Sequence, residues 1–332
     1  MFKRILTALI FALAAGAASA ATQIKIATVA PDGTAWMREM RAGADAIKKR
    51  TEGRVEIKYY PGGVMGDDAT VLRKIKIGQL QGAAFTGGEA ALITPDADVY
   101  GMPFLFKTPE EVDKVRAVLD PMVKKRFDEA GFDAAGITGG GFTYLMSVRE
   151  IHNKDDLKNA KVWVPQGDRV AEAGFKAAGV TPIPLPLADV YTSLQTGLID
   201  TVANTPAGAI AFQWHTKLKW MIDLPLTYVV GILVVDKKSM EALSADDRKA
   251  VDEELGGAFA RLEKINREDN AGARAALQKQ GITILTPNAD ETRSWEAVGV
   301  SARKELTGAG KISAETSAAL TRALDAARSG HQ

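Results

Sequence analysis

Apolar and polar residues alternate through QIKIATV, Gln23 to Val29, the period of a half-buried strand. From Ala35 to Arg50 the period lengthens to that of a helix, with Trp36, Met40, Ala44 and Ile47 on one face. Lys48, Lys49 and Arg50 close that helix where its dipole favours cations, and Gly53 follows. RVEIKYY, Arg54 to Tyr60, reads as a second strand. PGGVMGDD then turns into a helix from about Asp68 to Leu80, and Gly82 to Phe85 form a third strand. The rhythm repeats. MPFLF, AAGIT, YLMSV, KVWVP and DTVAN read as strands, with helices near Pro109–Ala130, Arg169–Ala178 and Leu187–Leu198. ALQKQGITILTP adds a late helix-to-strand step, and the chain from Ala289 is mostly helical. Such alternation predicts an α/β fold with a mainly parallel sheet covered by helices.

Ser244-Ala245-Asp246-Asp247 opens one helical stretch that runs to Gly281, with an N-cap serine and acids in the first turn. At ~1.5 Å per residue it is long enough to bridge two lobes. No Pro/Ser-rich linker separates the halves of the chain. We therefore expect interwoven lobes: residues 21–140 with 231–270 in the first, 141–230 with 271–332 in the second.

The first twenty residues stand apart from this pattern. Lys3 and Arg4, the apolar run Ile5 to Ala14 and Ala18-Ser19-Ala20 fit a secretory signal peptide cleaved before Ala21. Its removal would leave 312 residues, with 40 basic against 41 acidic, so no basic excess supports nucleic-acid binding. No later apolar run is long enough to cross a bilayer. The absence of cysteine excludes disulfides, thiolate metal sites, cysteine catalysis and an N-terminal lipid anchor. These features predict a free periplasmic protein, with a monomer as the default.

Catalysis has little support. No GxSxG, HExxH or P-loop occurs, and the three histidines, His152, His215 and His331, form no motif. GITGGGF, Gly136 to Phe142, lacks dinucleotide-binding spacing and reads as a hinge or a close backbone approach. Binding has more. APDGTAW, FTGGE, GGGFTYL and KVWVPQGD each follow a strand, where an open α/β sheet places its ligand crevice.

KIATVAPDGTAW, TEGRVEIKYYPGGVMGDD, MPFLFKTPEE, DLKNAKVWVP and above all AAGVTPIPLPLADVYTSLQTGLIDTVANTP, Ala177 to Pro206, resemble the solute-binding proteins of TRAP (tripartite ATP-independent periplasmic) transporters. The resemblance runs through the mature chain in order. It implies a two-lobed, type II-like periplasmic binding protein that closes on one small solute and delivers it to an ion-gradient-driven TRAP permease. It implies no cofactor and no catalysis, and leaves a co-bound cation open. A binding protein serving a sensor or another transporter class, and an exported hydrolase, are the rivals.

The family usually carries an arginine at the third residue of the KVWVP strand, where this chain has Trp163; a second arginine is also missing from GFTYL. Arg149 and Arg169 lie nearby, but neither occupies the family position. The resemblance thus points to an aromatic-walled pocket. Trp163 would stack on the solute, the alternative being that it points into the second lobe's core, since strand alternation does not fix its face. Trp36, Tyr144 and Trp214 would be further walls. Thr86 and Gly87 of FTGGE, Gln166, Asp168 and Asn204 would supply polar contacts.

Overall fold

The computed structural model describes residues 21–308 and 312–329. The expected signal peptide and His331 lie outside the described residues. In chain order the first part comprises β1 (Thr22–Thr28), α1 (Ala35–Arg50), β2 (Val55–Tyr60), α2 (Asp68–Lys76), β3 (Gly82–Thr86), α3 (Gly87–Ala90), α4 (Pro109–Glu129) and β4 (Phe132–Phe142). There follow β5 (Tyr144–Ser147), β6 (Trp163–Pro165), α5 (Arg169–Ala177), β7 (Ile183–Leu185), α6 (Val190–Thr196), β8 (Thr201–Asn204), α7 (Pro206–Ala211) and β9 (Trp220–Ile222). Last come β10 (Tyr228–Asp236), α8 (Lys237–Glu241), α9 (Ala245–Lys279), β11 (Thr283–Leu285), α10 (Ala289–Gly308) and α11 (Ala314–Ser329).

The first lobe is built on a five-stranded sheet, ordered β2-β1-β3-β10-β4. Its β1, β2 and β3 pair in parallel as expected, but β10 runs antiparallel to both β3 and β4. The sheet is therefore mixed. Sequence periodicity missed β10 because YVVGILVVD is apolar at nearly every position. Val230, Ile232 and Val234 enter the core on one face, and Leu233 and Val235 the core on the other. The second lobe holds β11-β9-β5-β8 and the parallel pair β6-β7, joined by a bridge from Val162 to Thr201.

Two segments carry the chain between the sheets. Between β4 and β5 only Thr143 intervenes; between β9 and β10 the chain runs through 223–227. The segments are stitched together: Thr143 N–H donates to Thr227 O, Leu226 N–H donates to Thr143 O (both 2.9 Å), and the two threonine hydroxyls meet at 2.8 Å. This is the hinge.

The long helix α9 spans both lobes. Its N-cap Ser244 accepts from Asp247 N–H, as expected. Leu255, Phe259 and Leu262 pack in the first lobe, and Leu277 packs in the second. One stripe, Phe259, Glu263, Asn266 and Asn270, lies along the glycine run of β4. Gly136 abuts the Phe259 ring. Glu263 accepts from Gly139 N–H (2.5 Å), Asn266 donates to Gly139 O (2.8 Å), and Asn270 donates to Gly140 O (2.7 Å). Asn270 also accepts from Ala207 N–H of the second lobe (3.2 Å). The glycines let a helix approach a strand backbone closely, and Gly141 has φ +114°.

Two expectations are corrected. MPFLF is not a strand: Pro103 has no N–H to give a ladder, and Phe104 (φ +52°) turns so that its N–H reaches Leu226 O. Residues 271–332 do not pack together on the second lobe. α10 lies on α5, whereas Ala319, Ala323 and Leu324 of α11 join the first core against α4.

Gly136→Ala would bring a methyl carbon within 2.4 Å of the Phe259 ring. It should cost about 1–3 kcal/mol by overpacking, read from urea unfolding. Gly272→Ala, with open space around it, should instead add up to ~1 kcal/mol. Equal effects would refute the close approach. Burial alone would raise the Glu263 pKa, but the Gly139 N–H and Arg116 hold it below the ordinary glutamate value. Its contribution is present at neutral pH and is lost as pH falls through that lowered value. Glu263→Gln should therefore flatten the acid limb of the stability profile.

Candidate functional site

A cavity of about 960 Å³ opens between the lobes. Its walls are the carboxyl ends of β1, β3, β6 and β8 with the loops that follow them, which is where the sequence placed the crevice. Asn266 and Asn270 of α9 and Trp295 of α10 complete the lining.

Of the nine residues singled out from the sequence, Trp36, Thr86, Gly87, Trp163, Asp168 and Asn204 lie on this wall. Trp163 is pocket wall and core at once. Only 4% of it is exposed, its indole N–H donates to Leu185 O at 3.0 Å, and its ring meets Trp214 edge-on at 5.2 Å. A solute can therefore touch the ring but not the N–H. Trp36 rests against Gly231 and meets Phe259 edge-on at 5.4 Å. Its buried indole N–H finds no acceptor in the protein. Thr86 caps α3, and Gly87 packs against Val230 with little room for a side chain. Asn204 Oδ1 accepts from Thr205 N–H at 2.8 Å.

The other three lie elsewhere. Trp214 is 1% exposed and stacks on Phe212 within the second core. The Tyr144 hydroxyl faces Arg274, which is bonded to Asp223. Gln166 is exposed, and its backbone N–H donates to Leu185 O.

The lobes touch around the cavity. Arg169 of α5 pairs with Asp98 of the first lobe at 2.6 Å, and Phe104 stacks on Trp295 at 6.3 Å. Asp168, the N-cap of α5, accepts from Ala171 N–H and lies directly over Gly88; a Cβ on that glycine would stand 2.6 Å from the carboxylate.

Among the lining residues that the sequence reading did not single out, Glu89 stands out chemically. Glu89 is buried, and its Oε2 accepts from Thr86 N–H at 2.7 Å in a capping box. Burial first, then the charges of Asp68 and Asp168, push its pKa up to about 8. Burial likewise raises Asp168, and raises Asp68 to about 6 with Asp67 adding to it. Thr86-Gly87-Gly88-Glu89 fits the capping pattern, so the sequence explains Glu89 as a helix start and hides its second position on the wall.

Charge on the wall is one-sided. Among the described lining residues the sole lysine or arginine is Arg38, an exposed side chain that donates to Gly33 O at 2.7 Å. Asp98 and Asp32 are ion-paired to Arg169 and Arg41. Among the described residues no group of three or more His, Cys, Asp or Glu is placed to hold a metal, and no helix is long and apolar enough to cross a membrane.

The sequence matches bacterial extracellular solute-binding protein family 7 (DctP) across residues 26–306. It is 26% identical over 317 residues to the C4-dicarboxylate-binding periplasmic protein DctP of Rhodobacter capsulatus, covering 95% of this chain and 94% of that protein. The fold superposes on the Bordetella pertussis extracytoplasmic solute receptor DctP7, which binds pyroglutamic acid: TM-score 0.85, 19% identity, 92% of this chain and 100% of that one. It also superposes on the TRAP periplasmic solute-binding protein of Chromohalobacter salexigens with bound D-glucuronate: TM-score 0.82, 23% identity, 91% and 99% covered. The match over most of its length places this chain in bacterial extracellular solute-binding protein family 7, a family of receptors rather than enzymes.

Proposed function

We propose that this chain is the periplasmic receptor of a TRAP transporter whose solute is held without the arginine grip. In this reading the first twenty residues are a signal peptide removed on export. The monomer binds one small organic molecule between its lobes and presents it, closed, to the membrane permease subunits. The relatives named above bind carboxylates. The observation that carries a different preference here is the lining itself. It has Trp163 where the family resemblance places an arginine, and Arg38 as its sole described cation. Arginine matches a carboxylate with a planar fork of donors, and an indole offers only a ring face and edge. A desolvated carboxylate would therefore meet apolar walls and the carboxyl groups of Glu89 and Asp168, at a cost of several kcal/mol. A solute with an aromatic or apolar body fits the ring surfaces of Trp163 and Trp36.

Thermal-shift screening of the mature protein checks this preference. A solute at 100 times its dissociation constant adds ~2.7 kcal/mol of stability. Neutral, zwitterionic or cationic solutes with an apolar body should raise the melting temperature, and succinate and D-glucuronate should not. Trp163→Phe loses the Leu185 hydrogen bond and part of the ring, so it should weaken the response while the protein stays folded. A larger shift with succinate than with any uncharged solute would contradict the proposal.

A further inference from the structure

We propose that Glu89 of the first lobe and Asp168 of the second are specificity-determining residues of the cavity, and that together they receive a protonated amine of the solute. The inference rests on the reading of the cavity as the solute site and names the chemical class that site selects.

Placement carries the argument. The backbone of Gly88, next to Glu89, is overlain by the Asp168 carboxylate, so the two acids come from opposite lobes and meet where the lobes touch. Both line the cavity, and the protein cation that acts on the pair is Arg169, whose charge partly favours the Asp168 carboxylate. Arg169, adjacent in sequence to Asp168, is committed to Asp98 at 2.6 Å, and Arg38 is held on Gly33 O. The remaining charged groups acting on the pair are acidic: Asp68 of α2 on Glu89, and Glu172 of α5 on Asp168. Bringing the lobes together thus brings like charges together in a low-dielectric gap. In the empty protein a proton on Glu89 relieves the repulsion, since its pKa is pushed up to about 8 by burial and by those neighbours. An ammonium seated between the carboxylates would do so better. It would displace the proton and favour the closed arrangement, because it touches both lobes. Trp163 and Trp36 on the same wall offer ring surface to the body of such a molecule.

Calorimetry with probes alike in shape tests this: 2-phenylethylamine, 2-phenylethanol and 3-phenylpropionate, with 1,4-diaminobutane set against succinate. Amines should bind most tightly. Their affinity should rise about tenfold per pH unit from pH 6 toward pH 8 and then level off, with close to one proton released per amine at pH 7, read from enthalpies in two buffers. Glu89→Gln keeps the capping box and Asp168→Asn keeps an N-cap side chain, so both variants should fold normally. Each should lose tenfold or more in amine affinity, and Glu89→Gln should abolish the pH slope.

The same proton is readable without solute. An acid whose folded pKa is raised gives stability that is full below its ordinary value and is gone above about pH 8. The melting temperature should therefore fall between pH 5 and 8 more steeply in the native protein than in Glu89→Gln. Amine affinity that falls as pH rises, amine binding unchanged in both variants, or failure of every amine to bind overturns the inference. Binding of the alcohol or the acid alone overturns it too, while leaving the receptor reading intact.

Discussion

The contact on which the rest of the molecule depends is the one between α9 and the glycine run of β4. A single carboxylate, Glu263, accepts from the Gly139 N–H and from Arg116 at 2.7 Å, and pairs with Arg267 one turn along at 3.0 Å. It thereby ties the helix, the strand and α4 together at the level where β4 heads for the hinge. Charge-assisted bonds of this kind are worth roughly twice neutral ones, and losing one partner of a buried set strands the others. A Cβ at 136 would run into the Phe259 ring, and one at 139 or 141 would displace the Tyr228 hydroxyl and Glu263 carboxylate or the Asn270 amide. That glycine stretch looks like a loop in composition and is structurally a docking track.

From that track the geometry of the cavity follows. Asn270, one turn beyond Asn266, reads Gly140 with its amide nitrogen and the start of α7 with its oxygen, so the helix that registers the first lobe also positions the second. Thr143 and Thr227 join the two segments that link the sheets, beside the separate crossing made by α9. This arrangement, a short hydrogen-bonded connection beside one continuous helix, suits rotation of one lobe against the other. The cavity lies where that rotation brings the loops after β3 and β6 face to face, so residues distant in sequence, such as Gly88 and Asp168, become neighbours only when the lobes meet.

This explains which parts were legible in the sequence. The elements from β1 to α2 could be read closely, because β1 alternates and α1 and α2 each carry a cap and an apolar stripe. The span of α9 was readable from its cap and length alone. By contrast β10, apolar throughout, has no period to betray it, and its direction depends on the hinge. The return of α11 to α4 depends on which lobe offers an unfilled apolar face, which no local pattern encodes. At the site, Trp163 posed a choice between core and pocket that the structure dissolves, since one indole serves both. Tyr144 and Trp214 were also expected as pocket walls, yet one is engaged by Arg274 and the other by the second core. Glu89 was hidden because its local role, capping α3, is a sufficient explanation by itself.

The absence of cysteine makes the central claim, that solute draws two lobes together about one hinge, directly measurable. Spin labels on Ile77→Cys in the first lobe and Leu198→Cys in the second, at exposed sites (64% and 51%), report the separation of the lobes by pulsed electron resonance. Addition of a saturating solute that raises the melting temperature should replace a broad distance distribution with a single shorter, narrow one. A bound solute that leaves the distribution unchanged would contradict the account.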